Sequence, residues 1–134
     1  MKQDIVFANV DLEIESNEDL QSLIDCFNDG VDVLYHDRLD NGNDFASLEF
    51  HLNVIEAGVY GEPDKTISAF CSLIENLPLE SQITWNNCLE KRFDIGFESG
   101  NTEKRFNTKI SSETIKRIAE IGVSIVITIY PILD

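Results

Sequence analysis

From Ala8 to Glu15 apolar and polar residues trade places at every step: Ala8, Val10, Leu12 and Ile14 form one series, and Asn9, Asp11, Glu13 and Glu15 the other. A period of two with one apolar side predicts a strand with one face on a core, and here the other face is acidic. Ser16-Asn17-Glu18-Asp19 then supplies capping oxygens and early acids. Leu20, Leu23, Ile24 and Phe27 recur at helical spacing, and Gly30 supplies a stop. The first segment reads strand, then helix.

Val31, Val33 and Tyr35 alternate again, as do Ala46, Leu48, Phe50, Leu52 and Val54, and YHDRLDNGNDF (35–45) lies between the two runs. Asn41-Gly42 tolerates positive φ, so the two runs predict a hairpin. The same stretch can be tested as a calcium loop. With Gly42 at the sixth position, the third falls on Leu39 and the twelfth on Leu48, where oxygen ligands are required. A turn explains the stretch and a calcium loop does not, and no metal site is assigned.

Glu62-Pro63-Asp64 opens a second helix with the stripe Ile67, Phe70, Cys71, Ile74 and Leu77, closed by Pro78. Ile83 and Trp85 are expected to begin a strand, and Phe93, Ile95 and Phe97 form another, with Asp94, Gly96 and Glu98 facing away. After the turn at Gly100-Asn101, a third helix is expected to bury Ile115, Ile118, Ala119 and Ile121 and to end at Gly122. The run from Val123 to Tyr130 is so rich in β-branched residues that it predicts a central strand.

The order β-α-β-β-α-β-β-α-β predicts an α+β fold of one domain over residues 1–134: a two-layer sandwich, its sheet mostly antiparallel or mixed, with three helices on one face. The opposite face would gather Asp11, Glu13, Glu15, Glu49, Asp94 and Glu98, with His51 and Tyr130 at its margin. Asp37, Asp40 and Asp44 on the hairpin would extend it.

Charge sharpens this picture. The 134 residues carry 25 acids and 10 bases, for a net charge of −15. Residues 1–44 hold 12 acids and 2 bases, whereas residues 91–134 hold 6 and 7. Such a field repels phosphate backbones and anionic lipid and speeds encounter with a basic partner, so neither nucleic acid nor membrane is an expected partner. Lys91-Arg92 and Lys104-Arg105 read as solvated strand ends and turns. The start of the chain lacks the pattern of a secretory signal and no apolar run is long enough to span a bilayer, which points to the cytoplasm.

Catalytic chemistry finds little support. Cys26, Cys71 and Cys88 form no CxxC pair, and Cys26 and Cys71 lie in apolar helical stretches, as small buried hydrophobes do. There is no phosphate loop, GxSxG elbow or HExxH. His36 and His51 are the two histidines, and His51 near Glu49 is the one place where acid–base chemistry can be imagined. No catalytic residue, metal or cofactor is assigned, and a binding protein is favoured over an enzyme.

The C-terminal third, from Arg92-Phe93-Asp94-Ile95-Gly96-Phe97 through Ile118-Ala119-Glu120-Ile121-Gly122 to the alternating strand ending at Tyr130, resembles the ending of a family of small bacterial domains. Some acidic proteins of this sort look like immunity proteins of polymorphic or contact-dependent growth inhibition toxin systems. The resemblance implies a non-enzymatic antidote whose partner is a cognate toxin domain, a basic nuclease being best matched to an acidic surface. It carries over no catalytic residue. The alternative is a binding module for a small cationic ligand or a metabolic partner.

Overall fold

The computed structural model describes residues 1–51 and 61–133. Its elements are β1 (Val6–Ser16), α1 (Gln21–Asp25), a 3-10 turn (Asn28–Gly30), β2 (Val31–Arg38), β3 (Asp44–Phe50), α2 (Pro63–Glu75), α3 (Leu79–Asn86), β4 (Glu90–Glu98), α4 (Ser112–Glu120) and β5 (Ser124–Tyr130). The strands form one sheet in the order β2-β3-β1-β4-β5. All neighbours are antiparallel except β4 and β5, which run parallel through a crossover containing α4. This is the expected α+β arrangement with a mixed sheet, and it has four α-helices among the described residues instead of three.

Alternation decides which side of the sheet meets the helices. Val10, Leu12 and Ile14 of β1, Ala46, Leu48 and Phe50 of β3, and Phe93, Ile95 and Phe97 of β4 are all buried in one core with Leu23, Ile67, Phe70 and Ile74 of the helices. Phe70 of α2 sits at its centre, 4.6 Å from the Phe50 ring and 5.5 Å from that of Phe93. Arg117 fastens α4 to α2, donating through Nε and Nη2 to the Glu75 carboxylate and through Nη1 and Nη2 to Ser68 and Ser72. Gly122, at φ 75°, ends α4 as expected, its N–H bonding Ala119 while the Val123 N–H bonds Ile118.

Several expectations are corrected. Ile83 and Trp85 belong to helix α3: Pro78 caps it, Ser81 and Trp85 one turn apart are its buried residues, and Ile83 is exposed. Two apolar residues at spacing two were too short a run to separate strand from helix. In α4 the buried residues are Thr114 and Ile118, while Ile115 and Ala119 are exposed. The first helix is only α1 followed by the 3-10 turn. Strand β5 is at the edge of the sheet among the described residues and not at its centre, because the crossover sets it outside β4. The continuation of β3 through Leu52 and Val54 lies outside the described residues.

A register shift between Val33 and Tyr35 changes the phase of β2. Val33 pairs with Leu48 and shares its core-facing side, whereas Tyr35 pairs with Ser47 and turns to the open face, its ring 6.0 Å from that of Phe45. The same shift sends His36 to the helix side.

Candidate functional site

The open face of the sheet is built by register. Asp32 of β2 lies opposite Glu49 of β3, Glu49 opposite Asp11 of β1, and Asp11 opposite Asp94 of β4. Four carboxylates thus form one transverse row over four adjacent strands, ~15 Å from end to end at ~4.8 Å per strand. Among the described residues no lysine or arginine stands in this row. Like charges placed directly opposite one another destabilise a sheet, so the arrangement costs the fold free energy.

Asp11 shows the strain most clearly. Burial, followed by the charges of Glu49, Glu13 and Asp94 and a hydrogen bond shared with Glu49, pushes its carboxyl up to about 7. At neutral pH it is therefore poised between its charged and neutral forms. Asn9 Nδ2 donates to Asp11 at 3.2 Å, and Thr128 Oγ1 of β5 donates to Asp94 at 2.6 Å. Tyr130 also feels the row: burial, then Asp94, Asp11 and Glu13, raise its hydroxyl above the ordinary value. Gly96 makes room for these neighbours, because a Cβ there would lie 2.5 Å from Asn9 Oδ1 and 3.1 Å from Tyr130 Cε2.

The next row differs. Glu13 stands between Ser47 and Arg92, and Arg92 Nε donates to Glu13 Oε1 at 2.7 Å, with Nη1 3.9 Å from Glu90. That ion pair raises the Arg92 guanidinium further above its ordinary value. Glu15 is likewise engaged, accepting from Asn43 at 2.8 Å and from Asn41 at 3.3 Å, which pins the hairpin loop to β1. The loop closes by the Leu39 N–H to Asn43 and the Gly42 N–H to Leu39, with Gly42 at φ 88°. The aspartate-rich stretch is a turn.

Of the anticipated residues, Asp11, Glu13, Glu15, Glu49 and Asp94 do share the open face. Glu98 is exposed at its far end, opposite Val6 and Tyr130, and Asp37 and Asp40 are exposed on the hairpin. Asp44 does not join them. It is 5% exposed and faces the helices, where Oδ2 accepts from the Leu20 N–H and contacts His36 Nε2, both at 2.8 Å. Burial alone would raise this carboxyl, but the bonds to His36 and Leu20 outweigh it and hold Asp44 below its ordinary value. It holds the chain's entry into α1 and is not a docking residue.

Asp32 was missed, although its place between Val31 and Val33 marks it as facing away from them. Alternation had already set Asn9 and Gly96 on this face but gave them no role, and Thr128 was missed because only the pairing of β5 with β4 brings it to Asp94. His51 Nδ1 lies 2.7 Å from Asp32 Oδ1 at the row's end, with both side chains substantially exposed. Burial raises the thiols of Cys71 and Cys88 to about 11, which leaves them protonated and poor nucleophiles. Asp19, His36 and Asp44 bring ligand atoms within 4.8 Å of one another, but Asp44 and His36 already satisfy each other there and Asp19 accepts the Gln21 N–H.

A second feature lies on the helix side near β5, an open groove of about 380 Å³ lined by Ile5, Phe97, Phe106, Ile127 and Ile129 among others, none of them charged. No helix among the described residues is long and apolar enough to cross a membrane. Searches with the chain found no matching protein-family model, curated protein or solved structure.

Proposed function

We propose that this chain is a non-enzymatic immunity protein that neutralises a cognate toxin domain, a basic nuclease, by covering its cationic substrate surface with the open sheet face. The observation that carries the reading is the row Asp32, Glu49, Asp11 and Asp94, in which no lysine or arginine among the described residues stands and His51 meets only the Asp32 end. A sheet gains nothing by itself from such a row, whereas a partner's lysines and arginines would relieve its repulsion on docking. Tyr35 and Phe45, paired on the same face, offer an aromatic anchor of the kind that concentrates binding energy. The reading also draws on the resemblance of the C-terminal third to a family of small bacterial domains, since some small acidic proteins of that sort look like immunity proteins.

The exposed His51–Asp32 pair has a base and an orienting acid, and among the described residues no nucleophile is bonded to it. The groove beside Phe97 offers a small cation no carboxylate among the described residues, whereas a second, smaller pocket at the end of β4 and β5 carries Glu98.

The test is to sequence the DNA beside this chain's gene, express any toxin domain encoded there and titrate it with the protein by calorimetry at about 50 and 500 mM salt, alongside cell protection; a neighbourhood without one counts against the reading. Tight binding that weakens with salt, together with loss of protection in the triple variant Asp11→Asn, Glu49→Gln, Asp94→Asn, is the expected result. Full protection by that variant would overturn the acidic-face reading.

A further inference from the structure

The two edges of the sheet are built differently. The β2 edge carries Asp32, Asp37 and Arg38 and is offset by the register shift, devices that stop an edge from pairing with another chain. The β5 edge has none of them. From Ile121 to Leu133 there is no charged residue, in a chain of which 26% is charged. Among the described residues β5 pairs only with β4, so alternate backbone N–H and C=O groups along its other side have no strand partner.

Its side chains repeat the asymmetry. Ile125, Ile127 and Ile129 stand opposite Phe93, Ile95 and Phe97, on the side of the sheet that elsewhere carries the core. Yet they are 43%, 63% and 64% exposed. The helices cover β1 and its neighbours and leave this stripe in solvent, next to the groove formed with Phe97 and Phe106.

We infer that β5 is a self-association edge, pairing antiparallel with β5 of a second copy about a twofold axis through Ile127. In that register Ile127 faces its own copy, Ile125 faces Ile129, Val126 faces Thr128 and Ser124 faces Tyr130. Isoleucine meets isoleucine along the whole helix-side stripe, the self-complementarity that a twofold interface requires. Charge selects the same occupant. Seven uncharged residues meet seven uncharged residues, whereas pairing β5 with the β2 edge would set Ile and Val against Asp32, Asp37 and Arg38. The twofold runs perpendicular to the sheet, so the product is a continuous ten-stranded sheet with both acidic faces on one side.

The contact is small, a seam ~23 Å long at ~3.3 Å per residue. Two chains of −15 also repel, so dimerisation strengthens with salt, opposite in sign to the salt dependence of toxin binding. The inference therefore stands or falls independently of the acidic-face reading.

The experiment is sedimentation equilibrium of the full chain from 5 to 300 µM at about 50 and 500 mM NaCl, paired with hydrogen exchange of the Ser124–Tyr130 amides. The expected result is a monomer–dimer equilibrium at least tenfold tighter at high salt, with β5 amide protection rising with protein concentration. Ile127→Lys should weaken it at least tenfold, and Val33→Lys on the opposite edge should leave it unchanged. Exchange on the unaltered chain decides the matter if Ile127→Lys fails to fold. A monomer at every salt and concentration would overturn the inference, as would a dimer whose β5 amides stay unprotected, or protection that appears only when the basic toxin domain is added.

Discussion

Replacing Asp11 by Asn removes the most strained charge of the acidic row while keeping its shape and a donor for Glu49. Its carboxyl is raised from 3.8 to about 7, so between those values the folded chain holds a proton that the unfolded chain has released. Stability conferred by that proton is present at low pH and is lost as pH rises from about 4 to about 7. A shift of about three units corresponds to ~4 kcal/mol at most. Solvent at this half-open face screens the repulsion, so about 1–2 kcal/mol is the working magnitude. Asparagine cannot ionise. Asp11→Asn should therefore match the unaltered protein near pH 4.5 and exceed it by about 1–2 kcal/mol at pH 8, or ~3–8 °C in melting temperature. Urea unfolding of both proteins at the two pH values measures the difference. An equal effect at both would refute the reasoning, because a packing or hydrogen-bond change has no reason to follow the titration of this carboxyl.

Three further outcomes follow from the geometry. A basic partner seated on the row lowers the Asp11 carboxyl, so toxin binding should release up to about half a proton at pH 7, more near pH 6, and tighten from pH 6 to 8; calorimetry in buffers of different ionisation enthalpy reads this directly. Asp44→Ala should cost about 1–3 kcal/mol by orphaning the buried Leu20 N–H and freeing His36, seen as a lower urea midpoint, and a neutral result would remove its capping role. That cost should shrink as pH falls below about 4, since a carboxyl held below its ordinary value loses its contribution there. Arg117→Ala, which unfastens α4 from α2, should cost about 1–2 kcal/mol by the same measurement while leaving the acidic face unaltered.

The alternation of β1 was legible in full because a strand with one buried side writes its geometry directly into the residue order, and five of the open-face acids followed from it and from β3 and β4. The role of Asp44 was not legible. It continues the series Ala46, Leu48 and Phe50, so the alternation of β3 already set it on the core side, but an aspartate there reads as part of the hairpin until the Leu20 N–H and His36 are seen to satisfy it. The misreading of β5 has a different cause. Its β-branched run reports strand propensity faithfully, but propensity does not reveal how many neighbours a strand has. Asp32 completes the row only through pairing with Glu49, which no single segment displays.

The strand at the heart of the sheet, β1, is also the first strand in the chain. Its partners arrive late: Glu15 pairs with Phe45 on one side and with Glu90 on the other, 75 positions downstream. The hairpin of β2 and β3 can close locally, but the central ladder must wait for loops of this length to be organised, and folds of this kind are slow. Throughout that wait Val10, Leu12 and Ile14 have no sheet to enter. The acids interleaved with them act on the unfolded chain as well as the folded one. Carrying Asp11, Glu13 and Glu15 on the same strand keeps one waiting chain from zipping onto another, so the charge that strains the finished sheet also protects the path by which it is made.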